Sequence, residues 1–232
     1  MHFPDANVQR MDLDTTRSKT GYETILEQFE RGETNILVGT QMVTKGLDFD
    51  HVSLVGIFNA DRMIHFPDFR SYERAYQLIT QVSGRAGRRD KPGMVVIQTS
   101  NPDHPLLVTI LNHSFEDFYN GQLADRREHN YPPFSRLIEI TVKHADKKTC
   151  RTVANELSEV LRKNVSGIIL LGPGEPMISK IRNQFLMSLL VKIPRGSVEL
   201  VALKNNIVES VQQVAKEKAY RNARIIIDVD PV

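Results

Sequence analysis

The sequence predicts an α/β lobe built on a parallel sheet, followed by a smaller α+β domain. Three observations predict it. Short apolar runs alternate with helix-period segments in the first half, the order of elements changes after Pro132 and Pro133, and the charge changes sign there. Residues 1–133 carry a net −4 and residues 134–232 a net +6. The +2 of the whole 232-residue chain is a sum over unlike parts.

Composition narrows the class. At 41% hydrophobic and 25% charged the chain is globular, with length for one large or two small cores. The one cysteine, Cys150, excludes an internal disulfide and any multi-cysteine zinc site within this chain, and fits a reducing compartment. No apolar stretch approaches the roughly 18 residues needed to cross a bilayer. Met1, His2, Phe3, Pro4 and Asp5 lack the basic region and apolar core of a secretion signal. The expectation is a cytoplasmic chain that is neither exported nor membrane-bound.

Residues 8–13 read as a strand. Asp14, Thr15 and Thr16 offer cap chemistry for a helix in which Tyr22, Ile25, Leu26 and Phe29 fall at i, i+3, i+4 and i+7. That helix should stop at Gly32. Residues 35–38, 52–58 and 94–98 read as short buried strands, with a helix over 71–84 between the last two. This is the rhythm of a parallel sheet with helical crossovers. In such sheets the loops leaving the carboxyl ends of strands carry the chemistry. After the turn cluster Asn101, Pro102, Asp103, His104 and Pro105, residues 106–111 and 115–128 read as helices. Phe115, Phe118 and Tyr119 suit packing between regions better than base stacking. Tyr131, Pro132, Pro133 and Phe134 read as a rigid linker, and the proline pair divides the chain into regions 1–128 and 129–232.

The second region orders its elements differently. Residues 137–142 alternate as a strand, 147–162 form an amphipathic helix, and 168–171 form a strand closed by Gly172, Pro173 and Gly174. Residues 177–181 and 185–193 read as strands joined by a turn at Arg182, Asn183 and Gln184. A helix over 198–218 and a strand over 224–229 follow. This is the split βαβ order of ferredoxin-like domains. Lys180, Arg182 and Lys192 lie on or beside the hairpin, where their charge and reach suit DNA phosphates. The alternative is a scattered, solvated face.

Two segments carry candidate chemistry. If helical, Gln81, Gly84, Arg85 and Arg88 share one face, so two guanidinium forks and a carboxamide stand together while glycine permits close approach. Such a face suits the charge that develops on a transferring phosphoryl group. A solvated basic helix end is the bland alternative. The second segment runs from Gly39 and Thr40 through Thr44, Lys45, Gly46, Leu47 and Asp48, directly after a strand. Its hydroxyls and freed backbone amides can hold a phosphate, and its carboxylate can accept from a sugar hydroxyl. It lacks the second glycine and terminal hydroxyl of a Walker A loop, and an ordinary strand-to-helix turn remains open. The seven histidines are scattered without metal-ligand spacing, and Cys150 reads as packed.

Taken together, the two segments resemble motifs V and VI in the second RecA-like lobe of superfamily 2 nucleic-acid helicases. Further strings resemble one family in particular, the primosomal protein N-prime replication-restart helicases. They are Arg10 to Thr16, Asn59-Ala60-Asp61, Phe66-Pro67-Asp68-Phe69-Arg70, Arg126-Arg127, Tyr131-Pro132-Pro133-Phe134, Leu171-Gly172-Pro173 and Ile227-Asp228-Val229-Asp230-Pro231. The resemblance implies an ATP-dependent 3′-to-5′ DNA helicase that recognises stalled forks and reloads replication. By it, Arg88 is an arginine finger, Arg85 its partner at the ATP phosphates, and Gln81 and Gly84 couple nucleotide to DNA. Gly46 and Asp48 lie near the nucleotide, and Thr40 touches the DNA backbone. It implies ATP and Mg²⁺ as cofactors, and as partners branched and single-stranded DNA, single-stranded DNA-binding protein and other primosome proteins at forks in the nucleoid.

The phosphate loop and acidic Mg²⁺ motif of a first lobe are not in this sequence, nor is the family's cysteine-rich zinc insertion. The expectation is a C-terminal portion of a larger protein, inactive as an ATPase alone. Two alternatives stand beside it: a non-catalytic scaffold for DNA or primosome proteins, and another superfamily 2 enzyme acting on Holliday junctions or recombination intermediates.

Overall fold

A computed structural model describes residues 4–12, 19–40, 52–84, 86, 93–196 and 199–231. The chain forms two compact units, Met1–Tyr119 and Asn120–Val232.

In the N-terminal unit, β1 (Val8–Met11) pairs in parallel with β2 (Ile36–Gly39), and β3 (Leu54–Ile57) in parallel with β4 (Met94–Ile97). α1 (Lys19–Glu30) joins the first pair, and the heptad-like face read from sequence is the face it buries. Tyr22, Ile25, Leu26 and Phe29 pack against fully buried Met11. Gly32, with φ of 73°, takes the left-handed position that lets the chain leave the helix. The second pair is joined through α2 (Ala60–Ile64) and α3 (Ser71–Ser83). Ala75, Tyr76 and Ile79 of α3 are buried with Ala60, Ile64 and the inner face of α4 (Pro105–Leu111), namely Leu106, Leu107 and Ile110. The strand-helix-strand order is as the sequence predicts. The cap chemistry expected of Asp14, Thr15 and Thr16 lies outside the described residues.

α5 (Phe115–Glu128) starts in the N-terminal unit and ends in the C-terminal one. Phe118 stacks on Tyr76 with ring centroids 4.2 Å apart and planes 12° from parallel, so this aromatic stripe packs within the first unit. Phe115 and Tyr119 stay exposed.

The C-terminal unit is an antiparallel sheet in the order β6-β8-β5-β9, where β5 is Ser135–His144, β6 Ile169–Gly174, β8 Gln184–Pro194 and β9 Arg224–Val229. This is the ferredoxin-like arrangement. α6 (Lys147–Asn164) and α7 (Leu200–Ala215) cover one face, and a 3₁₀ turn over Lys218–Tyr220 leads into β9. The strand expected over 177–181 is reduced to β7 (Lys180–Ile181), a two-residue arm paired only to the start of β8. α6 is held at its start by Asp146, whose carboxylate accepts from the Thr149 N–H at 2.7 Å. Its inner face, with Val153, Leu157 and Leu161 fully buried, meets Ile140, Val142, Leu189 and Val191 of the sheet. Each such side chain contributes about 1.5–3 kcal/mol of apolar burial. Cys150 is part of this core, its Sγ 3.4 Å from the Val142 carbonyl and 3.3 Å from that of Phe185. Burial pushes its thiol up from its ordinary value. At Gly172, φ is 91° and a Cβ would stand 2.7 Å from the Ser188 carbonyl oxygen, so only glycine fits between β6 and β8.

Candidate functional site

In the N-terminal unit α3 follows the carboxyl edge of β3 in the chain, and the described candidate residues fall at the end of α3 and just after β2. A carboxylate clamp builds that edge. Asp61, in the first turn of α2, accepts from the Thr99 hydroxyl at 2.6 Å, the Ser100 N–H at 2.8 Å and the Ser100 hydroxyl at 2.6 Å. The Ser100 and Thr99 hydroxyls and the Ser100 amide pull its carboxyl down to about 2. The loop after β4 is thereby tied to the helix after β3. A second carboxylate sets the start of α3: Asp68 accepts from the Arg70 N–H at 2.9 Å and bridges Arg74 at 2.7 Å. His104 sits beneath, buried, its Nδ1 accepting from the Leu106 N–H at 3.2 Å and its Nε2 3.5 Å from the Tyr72 hydroxyl.

Gln81 is exposed in the last turn of α3, and Gly84 follows as its C-cap, its N–H donating to the Thr80 carbonyl at 3.0 Å. Thr40 is exposed immediately after β2. Arg85, Arg88, Gly46 and Asp48 lie outside the described residues. Sequence reasoning assigned no role to Asp61, Asp68 or His104. The strings Asn59-Ala60-Asp61 and Phe66-Pro67-Asp68-Phe69-Arg70 were the available signal, and the structure shows their local purpose: the first ties α2 to the loop after β4, and the second sets the start of α3, whose last turn carries Gln81.

In the C-terminal unit the cations fall into two kinds. Lys180 is exposed on β7, its ammonium 4.8 Å from the Phe185 ring centroid, and Arg182 is exposed in the β7–β8 turn. Lys147, Lys148 and Arg151, in the first turns of α6, line an open cleft of about 450 Å³ with Phe185, Ala145 and Asp146. Glu175 stands among them, 2.8 Å from Lys147 and 3.3 Å from Arg151, and the Lys147 ammonium holds its carboxyl below the usual range. Lys192 belongs elsewhere. It is 4% exposed, donates to the His129 carbonyl at 2.7 Å and lies 3.5 Å over the Tyr131 ring. Burial lowers the pKa of its ammonium. The expectation that Lys192 meets DNA phosphates is corrected here, because its charge is consumed inside the unit.

Among the described residues no cluster of three or more His, Cys, Asp or Glu could hold a metal ion, and no helix is long and apolar enough to cross a membrane. A parallel α/β unit whose motif helix ends in Gln81 and Gly84, joined to a ferredoxin-like unit with one basic end, defines the class. It is a helicase C-terminal lobe with an appended domain. Residues 3–90 match the family described as helicase conserved C-terminal domain, and residues 127–232 match that described as primosomal protein N C-terminal domain. Over nearly its whole length the chain is similar to proteins named replication restart protein PriA. It is 40% identical over 230 residues to the replication restart protein PriA of Bacillus subtilis strain 168, covering 99% of this chain and 28% of that protein. To the PriA of Synechocystis it is 40% identical over 234 residues (99% and 27%), and to that of Haemophilus influenzae 38% over 232 residues (99% and 31%). The chain thus spans under a third of the length of these relatives.

Proposed function

We propose that this chain supplies the second lobe and terminal DNA-contacting domain of an ATP-dependent 3′-to-5′ DNA helicase that restarts replication at stalled forks. The observation that carries the proposal is the placement of Gln81 and Gly84 at the exposed end of a helix whose start is set by Asp68, with Arg85 and Arg88 next in sequence. Arg88 serves as the arginine finger and Arg85 as its partner, because guanidinium forks match the equatorial oxygens of a transferring phosphoryl group. Gln81 and Gly84 couple the phosphate site to DNA, Gly46 and Asp48 border the nucleotide, and Thr40 contacts the DNA backbone. ATP, when bound between two lobes, would supply the γ-phosphoryl group for transfer to water. Lys180 and Arg182 contact DNA phosphates, and we place the functional division at residues 128 and 129. Single-stranded DNA-binding protein and primosome proteins are the proposed partners, in the cytoplasm at forks.

In a two-lobed helicase containing this chain, Arg88→Ala should lower DNA-stimulated ATP turnover by about a thousandfold while leaving DNA affinity within about twofold. The 232-residue chain alone should show no turnover. Equal loss of turnover and DNA affinity would assign Arg88 to DNA contact instead.

A further inference from the structure

β7 and β8 are joined by Arg182 and Asn183, both with positive φ (46° and 64°), the geometry of a tight two-residue hairpin turn. Pairing of β8 with β5 ends at Phe185, opposite His144, so this turn stands just past the end of the sheet. Its approach is apolar and uncovered: Met177 is 64% exposed, Ile178 62% and Ile181 43%. Three large apolar side chains within five residues, Met177 and Ile178 leading into β7 and Ile181 on it, are a patch and not scattered surface residues. Lys180 and Arg182 flank them, and Lys148, Lys147 and Arg151 border the neighbouring cleft through Phe185. Among the described residues Lys148, Lys180 and Arg182 make no ion pair.

We propose that this hairpin is a wedge for branched DNA: Met177, Ile178 and Ile181 enter an unstacked base step at a duplex end or branch, and Lys180 and Arg182 hold the flanking phosphates. The inference rests on the DNA-helicase reading above and adds to it where the duplex is opened. Met and Ile are side chains that proteins insert between base steps, and the unstacking cost is lowest where the duplex already ends. Charge favours the same occupant, since Lys180 and Arg182 flank the patch and can release counterions from phosphate. A convex two-residue turn cannot supply the roughly 800 Å² per partner of a stable protein interface. The wedge needs only a few apolar side chains.

The test uses the 232-residue chain with two DNA probes of equal length, one forked and carrying 2-aminopurine at the branch, one an unbranched duplex. The wild type should brighten the branch 2-aminopurine. Met177→Ser/Ile178→Ser/Ile181→Ser should abolish that signal and weaken fork binding by about tenfold, leaving duplex affinity and its salt slope unchanged. Lys180→Ala/Arg182→Ala should weaken both probes and lower the salt slope by about two. All five positions are exposed, and circular dichroism confirms that each variant is folded. If the serine variant binds and brightens the fork like the wild type, the wedge is overturned while DNA contact by the unit stands. Failure of the wild type to bind either probe would overturn the wedge and the DNA-contacting role of this unit together. A serine variant that loses only self-association, with fork binding intact, would assign the tip to a second copy of the chain.

Discussion

At Lys192 the charge count and the strand register point in opposite directions. Summed over residues 134–232, it is one of sixteen cations available for DNA. In the register of β8 it sits opposite Leu137 and Ile169, on the sheet face away from α6 and α7, where Tyr131 covers it. Alternation alone does not say which polar position the linker will fold over, so a sequence reading places the lysine at the surface. Lys192→Ala should destabilise the C-terminal unit by about 2 kcal/mol, since the His129 carbonyl loses its donor and Tyr131 its cation. Urea denaturation measures this, and fork affinity should stay within about twofold of wild type. A stable variant with weakened DNA binding would return Lys192 to the phosphate-contacting set. Lys180 and Arg182 are both exposed, the first on the short β7 and the second in the tight turn after it.

Elements with a strong period were legible, and so were the short strands β1 to β4 and the helix α4, whereas α2 and most of β7 were not. α1, α3, α5, α6 and α7 carry apolar positions at helical spacing, and the structure forms all five. α2 has five residues, too few to show a period, and β7 keeps only two of the five residues that alternation suggested. The site followed the same rule. Arginine spacing near the end of α3 was readable, whereas Asp61 acts through Thr99 and Ser100, 38 and 39 residues away, a pairing no local pattern announces. His104 is a comparable case, an imidazole serving as the N-cap of α4. Its Nδ1 must be unprotonated to accept from Leu106, and burial with nearby His65 lowers its pKa below 6.5, against a smaller opposing pull from Asp61. Above the unfolded value both states are neutral and the cap is intact. As pH falls through 6.5 the unfolded chain takes up a proton that the folded chain resists, so stability drops with acid. The urea midpoint of the N-terminal unit should therefore fall between about pH 7.5 and pH 5.5. His104→Asn, which keeps an acceptor without a titrating group, should flatten that slope. A variant with the wild-type slope would show that another group carries it.

The whole molecule is divided in its energetics as it is in its charge. The C-terminal unit has one continuous core in which both long helices and β5, β6 and β8 share buried residues, from Ile138 through Leu157 and Leu189 to Val214, with Ile225 and Ile227 of β9 packed against it. Among the described residues of the N-terminal unit, burial is split between the α2–α3–α4 cluster and a smaller one around Met11. Its strands also leave apolar side chains in solvent: Val8 is 54% exposed, Leu54 58% and Met94 62%. Parallel strands are ordinarily covered on both faces, so each uncovered residue withholds burial energy from this unit. The two units should then open at different denaturant concentrations. In hydrogen exchange read by peptide mass, β3, β4 and α3 should lose protection at lower urea than β5, β8 and α6. The helix that crosses the division, α5, should show both behaviours, with residues near Phe118 exchanging alongside the first unit and those near Arg126 protected with the second. Arg126 donates to the Pro132 carbonyl at 2.9 Å, which anchors that end of the helix to the unit with the larger core. Loss of protection in all these peptides at one common urea concentration would mean that α5 couples the units into a single cooperative block, and the first unit could then not loosen without the second.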